Sequence, residues 1–231
     1  IIPIFLLFIG SCQQSADKET QRLQPVDYVN PFIGTDAHGH TYPGAVLPFG
    51  MVQISPDTRL EGWDGCSGYH YSDDIVYGFS HTHLSGTGVA DYCDILFMPA
   101  VGKVQFNNGS EYPDLGYASR FNHNNEMAQA GYYTTYLDDY NINVELTASK
   151  RVGFHKYNFQ KKEQGHVIID LVHRDKVLDA WMEMVNDTLV QGYRRSSSWA
   201  EDQHVFFTAV FSQPVSEYGL ALKDSVATEK T

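Results

Sequence analysis

The chain has 231 residues, 42% of them hydrophobic and 13% aromatic, which is enough apolar side chain for one large domain or two small ones. Its net charge is −12, and its 16 Lys and Arg form nothing longer than adjacent pairs. That argues against nucleic acid as a partner, because phosphate contacts need clustered cations.

Ile1 to Ile9 is an apolar run, followed by Gly10-Ser11-Cys12 and the polar stretch QQSADKETQRLQ. The run is too short to span a membrane and fits the apolar region of a signal peptide. Ile9-Gly10-Ser11-Cys12 resembles a bacterial lipobox, in which the cysteine becomes lipidated and forms the new N-terminus. With no initiator Met and no basic region ahead of it, the chain reads as starting inside its own signal. Residues 1–12 are thus expected to be a partial lipoprotein signal and 13–25 a flexible tether with little to bury. Residues 26–231 are then the folded domain. The expected location is that of an exported bacterial lipoprotein, in the periplasm or on the outer-membrane surface, with a lipid anchor as the only membrane contact.

Further along, Asn107-Asn108-Gly109 is a turn signal, and Tyr132 to Leu137 is a β-rich run. After a turn at Asp138-Asp139-Tyr140-Asn141, Ile142, Val144, Leu146 and Ala148 alternate with polar residues, the mark of a half-buried strand. Val152 to Phe159 is another strand, closed by a turn at Lys161 to Gly165, and Val167 to Val172 is a short apolar one. Leu178 to Asn186 is the one stretch that reads as a helix. Val205, Phe207, Ala209 and Phe211 share one face of a last strand. Regular short strands with turns between them predict an all-β fold, a sandwich or barrel.

The segment Gly62 to Asp94 differs from all of these. It holds Trp63, four Tyr, three His, five Asp and six Gly, with no Lys or Arg and no apolar stripe. Glycines let a backbone come close to a ligand. Aromatic faces stack on the C–H faces of sugars, and carboxylates and imidazoles bind hydroxyls. A sugar site is one reading, and a Gly-rich surface loop is the other. His81 and His83 would share a face on a strand and bind a metal with Asp91 or Asp94, or they simply make hydrogen bonds. Asp64, Asp73, Asp74, Asp91 and Asp94 are candidates for the carboxylate pair of glycosidic cleavage, or they form turns and caps. Ser85-Gly86-Thr87-Gly88 lacks the Gly-Lys-Ser/Thr of a phosphate loop. Cys66 and Cys93 are either bridged, as export permits, or free.

Val29 to Thr35 (VNPFIGT), Gly39 to Arg59 (GHTYPGAVLPFGMVQISPDTR), Gly62 to Asp73 (GWDGCSGYHYSD) and Gly78 to Gly88 (GFSHTHLSGTG) closely resemble glycoside hydrolase family 92. Ala130 to Tyr157, Ile168 to Asp179 and Gly192 to Gln203 agree, so the resemblance runs over residues 26 to 222. It implies an N-terminal β-sandwich that precedes a large (α/α)6 barrel in exo-acting, inverting, calcium-dependent α-mannosidases. The general acid, the base and the Ca²⁺ ligands belong to that barrel, so no catalytic residue and no metal ligand is expected on this chain, which is read as the N-terminal part of a longer enzyme. Its expected partners are mannose-containing glycans and its own C-terminal domain. The resemblance places sandwich loops at the mannose pocket. Trp63 is expected to give aromatic contact, and Asp64, His81 and His83 to bind hydroxyls. Cys66 is expected as a pocket wall, and Gly86 and Gly88 to allow close backbone approach. Arg174 and Asp175 are candidate interface residues, with a salt-bridged turn as the rival reading. Cys93 stands where the family pattern leads one to expect Gly. A lectin-like sandwich that binds glycans without cleaving them is the alternative function.

Overall fold

A computed structural model describes residues 23–111, 115–160, 164–222 and 225–230. The lipobox Cys12, most of the tether and Lys161 to Glu163 of one expected turn lie outside them.

The described chain is built of antiparallel strands. The first ten are β1 (Ala45–Val46), β2 (Gln53–Asp57), β3 (Ile75–Val76), β4 (Gly78–Ser80), β5 (Leu96–Val101), β6 (Ser119–Arg120), β7 (Met127–Gln129), β8 (Tyr132–Leu137), β9 (Ile142–Ala148) and β10 (Gly153–Phe159). They are followed by β11 (Gly165–Asp170), β12 (Lys176–Asn186), β13 (Leu189–Ser197), β14 (Gln203–Val210), β15 (Glu217–Leu222) and β16 (Ser225–Lys230). A five-stranded sheet runs β1-β2-β4-β5-β11, and a four-stranded sheet runs β10-β9-β8-β7. The two supply one apolar core. Ile54, Phe79, Leu96 and Met98 come from the first sheet, and Tyr133, Leu137, Ile142, Val144 and Leu146 from the second. This is the expected all-β sandwich.

The alternation read in residues 142–148 has its physical cause here. Ile142, Val144 and Leu146 of β9 point into the core, and Tyr133, Thr135 and Leu137 of β8 face them across the register Tyr133↔Leu146, Thr135↔Val144 and Leu137↔Ile142. The turn at residues 138–141 closes this hairpin with Asn141 at φ 53°, a left-handed conformation that Asn tolerates. The core also admits carboxylates. Glu126 accepts hydrogen bonds from the hydroxyls of Tyr69 (3.0 Å) and Tyr133 (2.6 Å). Burial, and then that carboxylate, push both phenols well above their ordinary range.

The helix expected at Leu178 to Asn186 is not formed. These residues belong to β12, which pairs with β13 in a three-stranded sheet β12-β13-β14. Ala180, Met182 and Met184 do alternate with exposed Trp181, Glu183 and Val185. Register shifts between Val177 and Asp179, and between Met184 and Asn186, break that alternation at both ends, so the period of two is masked in the sequence. β14 behaves as expected, with Val205, Phe207 and Ala209 less exposed than Phe206 and Val210.

Leu146 is almost completely buried in the sandwich. Leu146→Ala should therefore cost about 2–5 kcal/mol, seen as a lower urea midpoint with little change in slope. The exposed Val210→Ala should stay within about 0.5 kcal/mol of the parent.

Candidate functional site

The loops that leave the sandwich strands gather around Asp57, the last residue of β2. Its side chain is fully buried and takes two imidazoles: Nε2 of His83 lies 2.7 Å from one oxygen and Nε2 of His173 lies 2.9 Å from the other. Burial alone would raise the Asp57 carboxyl. The charge of His83 and the hydrogen bonds from both rings override it and hold the group far below the usual carboxylate range. His83 Nδ1 donates to the Gln53 carbonyl at 2.7 Å, so both ring nitrogens face oxygen acceptors and the ring carries both protons. Burial works against that charge, but the Cys93 sulfur and Asp57 outweigh it and lift His83 to about 10.

His81 faces the other way. Its Nδ1 donates to the Ile95 carbonyl at 2.7 Å, so its Nε2 accepts from Nε2 of His155 at 3.0 Å, and Nδ1 of His155 accepts from the Tyr157 hydroxyl at 2.7 Å. This is a chain of neutral donors. Burial pulls His81 down to about 4, lowers His155 and raises Tyr157. The two histidines read as a pair on one face are thus separated, and neither leaves a ring nitrogen free for a hydroxyl. They do not meet Asp91 or Asp94 in a donor set.

Trp63 and Asp64 lie outside this interior. They sit in a 3-10 turn, Trp63–Gly65, entered through Gly62 at φ 81°. Trp63 as a residue is 59% exposed. It stands edge-on to His40 with centroids 4.4 Å apart and lies 5.2 Å from His38. A Cβ on Gly88 would come within 2.6 Å of Trp63 Nε1, so only glycine lets the indole settle on that loop. Gly86 is needed for its φ of 69° and donates its N–H to the His40 carbonyl at 2.7 Å. The close approach that these two glycines permit is therefore to the protein's own groups. Asp64 accepts from Nδ1 of His38 at 2.7 Å and lies 3.2 Å from Nε2 of His40. The hydrogen bond from His38 is the main reason why its carboxyl sits below the usual range.

Cys66 and Cys93 are both free and both buried, so of the two readings the bridge is not the one formed. The Cys66 thiol donates to the Thr87 carbonyl at 2.8 Å, and burial raises it. Cys93 Sγ lies 3.6 Å from Arg174 Nη1. Arg174 is buried and donates to the Gly65 carbonyl at 2.6 Å, while the Asp175 carboxylate accepts the Tyr92 N–H at 3.1 Å. The two thus tie different loops together and do not form a salt-bridged turn with one another. Burial and the nearby Asp91 carboxylate push Asp175 up to about 6.

Three of the other loop aspartates, Asp73, Asp91 and Asp94, are used structurally, and Asp91 accepts the Ala200 N–H at 2.8 Å. Asp73 is chelated by Arg59, and Asp94 takes Arg194, the Thr82 hydroxyl and Gln203. His38 and His40, which the sequence reading missed, complete the exposed cluster. Their signal was present in His38-Gly39-His40, two imidazoles flanking a glycine.

The N-terminal-domain profile of glycosyl hydrolase family 92 matches residues 28–231. The chain belongs to that family. A family 92 α-mannosidase of Bacteroides thetaiotaomicron, solved in complex with mannoimidazole, is 40% identical over 84% of this chain and 26% of its own, with a TM-score of 0.80. A family 92 inverting mannosidase from the same organism is 28% identical over 89% of this chain and 27% of its own, with a TM-score of 0.74. An uncharacterized secreted glycosidase of Arthroderma benhamiae is 26% identical over 70% of this chain and 22% of its own. The chain thus spans about a quarter of the length of these relatives. Calcium takes six to eight oxygen ligands. Among the described residues the two groups of donors close enough for a metal, His38/His40/Asp64 and Asp57/His83/Cys93, are nitrogen- and sulfur-bearing and do not fit it.

The Asp57 cluster sets a pH dependence. His83 is raised above its unfolded value, so its contribution is complete below about pH 6.5 and lost as pH rises towards 10. His81 is lowered, so its contribution is lost as pH falls from about 6.5 towards 4. Thermal unfolding should show greatest stability near neutral pH. His83→Gln should flatten the alkaline limb, and an unchanged limb would place the titration elsewhere.

Proposed function

We propose that this chain is the N-terminal sandwich of an exo-acting α-mannosidase that removes terminal α-mannosyl residues from glycans with inversion, and that its Trp63–Asp64 turn forms part of the mannose pocket. The observation that carries the reading is the Trp63 ring. It is a large exposed indole, braced by His40 and by the bare backbone of Gly88, beside an ionised carboxylate. An aromatic face next to a charged acceptor suits the C–H face and hydroxyls of a pyranose. The 40% identity to a mannosidase solved with mannoimidazole supports the same ligand class. His81, His83 and Cys66 take a supporting part here, since each is committed to a protein partner.

The acid, the base and the calcium ligands are assigned to the C-terminal (α/α)6 domain of the complete protein. A lectin-like sandwich remains the rival. In the complete protein, Trp63→Ala should lower kcat/KM on an α-mannoside at least tenfold, equivalent to about 1.4 kcal/mol of transition-state stabilisation, with a nearly unchanged melting temperature. A core Trp would instead cost about 3–5 kcal/mol of stability. A large fall in melting temperature with normal kinetics would make Trp63 structural. Mannoside binding without any cleavage by the complete protein would favour the lectin.

The lipobox reading places the protein on a membrane through acyl chains at Cys12. Cys12→Ala should move the complete protein from the membrane to the soluble fraction of a bacterial host. Lipid-free mass on the peptide that begins at Cys12 would overturn the anchor.

A further inference from the structure

His38, His40 and Asp64 bring Nδ1, Nε2 and a carboxylate oxygen within 4.8 Å of one another. The His40 Nδ1 lies 2.8 Å from the Thr87 carbonyl, which can only accept, so the proton of the neutral ring resides on Nδ1. Nε2 of that ring then directs a lone pair at Asp64 Oδ1, 3.2 Å away. Both His40 nitrogens thus face oxygen acceptors, and the position between Nε2 and Asp64 is filled either by a second ring proton or by a metal ion.

The surroundings pre-organise the three donors. A backbone carbonyl behind one imidazole nitrogen is the usual device for orienting a metal-binding histidine. Gly39 holds the two histidines in place, because a Cβ there would lie 2.1 Å from the Gly34 carbonyl oxygen. His40 itself is held at φ 54°, a left-handed conformation that L side chains rarely adopt and that tends to persist at functional sites. Trp63 packs on both rings.

We propose that His38, His40 and Asp64 form a binding site for a zinc-like divalent transition metal, with one coordination position open to solvent. Two imidazoles and a carboxylate are a borderline donor set that suits zinc and excludes calcium. Ligands at about 2.0 Å in a tetrahedral arrangement stand about 3.3 Å apart, close to the 2.7 and 3.2 Å found here. The His38 side chain is 69% exposed and that of Asp64 30%, so an ion has a path in. Asp57, His83 and Cys93 form the other close group, but it is sealed, both His83 nitrogens are taken, and the Arg174 guanidinium already supplies the cation beside Cys93. The ion would pin the loops carrying His38, Asp64 and Thr87 to each other.

The metal site shares Asp64 with the proposed mannose pocket, but metal binding is measured on this chain with no substrate, so its failure is distinct from a failure of the mannosidase reading. Untagged, EDTA-stripped protein titrated with Zn²⁺ in a calorimeter should bind one ion per chain. His38→Ala and Asp64→Asn should each weaken binding at least tenfold, whereas Cys93→Ser should leave it unchanged. Co²⁺ should give the visible absorption of a tetrahedral site in the parent and not in His38→Ala. Zn²⁺ should raise the melting temperature of the parent and of Cys93→Ser more than that of His38→Ala or Asp64→Asn. Absence of saturable binding, equal affinity in His38→Ala, loss in Cys93→Ser, or Ca²⁺ binding as tight as Zn²⁺ would overturn the proposal. Melting temperatures of the metal-free variants show whether each is folded, and the exposed His38→Ala keeps the test decisive if Asp64→Asn is not.

Discussion

The loop end of this domain depends on one buried anion. Asp57 closes β2, and its carboxylate is reached by His83 from the loop after β4 and by His173 from the loop after β11. Three chain segments that are distant in sequence are thereby fixed to one point. An ionised carboxylate is costly inside a protein unless paired and hydrogen-bonded, and here two imidazoles meet that requirement. Removing either side of such a pair leaves an uncompensated buried charge, which typically costs about 3–5 kcal/mol. The geometry is tight around it as well. A Cβ at Gly68 would meet Asp57 Oδ1 at 2.5 Å and Cys93 Sγ at 2.9 Å, so the following loop can pass only as glycine.

A second buried ion extends this frame to the three-stranded sheet. Arg194, in the middle of β13, is among the largest fully buried side chains. It bonds to Asp94, to Ser196 and to the main-chain carbonyls of Leu171 and Arg174. The carbonyls belong to the same loop that delivers His173 to Asp57. The β12-β13-β14 sheet is therefore joined to the sandwich loops by polar contacts, from the Arg194 guanidinium and also from Gln203 to Asp94 and the Ala200 N–H to Asp91. Such directional contacts fix orientation where hydrophobic packing would leave it free to slide.

On this frame the exposed turn at Trp63 and Asp64 is held in a set pose. Glycine at 62 and 88, the left-handed His40 and the carbonyl of Thr87 leave the indole, the carboxylate and two imidazoles little freedom. A site so constrained loses little conformational entropy when it binds, which is the advantage of pre-organisation. Its neighbours His81 and His83 look similar in sequence yet serve opposite electrostatic ends, one neutral and one charged.

Strands that alternate cleanly were legible in the chain, because a half-buried sheet imposes a period of two and β8, β9 and β14 keep it without interruption. The sequence also marked Gly62 to Asp94 as unlike core, since nothing there repeats at a structural period, and its long motifs pointed to the family. It did not reveal β12, whose alternation is interrupted by two register shifts. Nor did it sort the polar residues of the loops. Side chains two apart, such as His81 and His83, were parted by a loop that turns one towards Ile95 and His155 and the other towards Asp57. His38 and His40 were joined to Asp64 across more than twenty residues. Which histidine is buried, which carboxylate is ionised and which indole remains exposed are decided by contacts between segments far apart in the chain. Local periodicity carries no information about such contacts, so only the tertiary structure settled them.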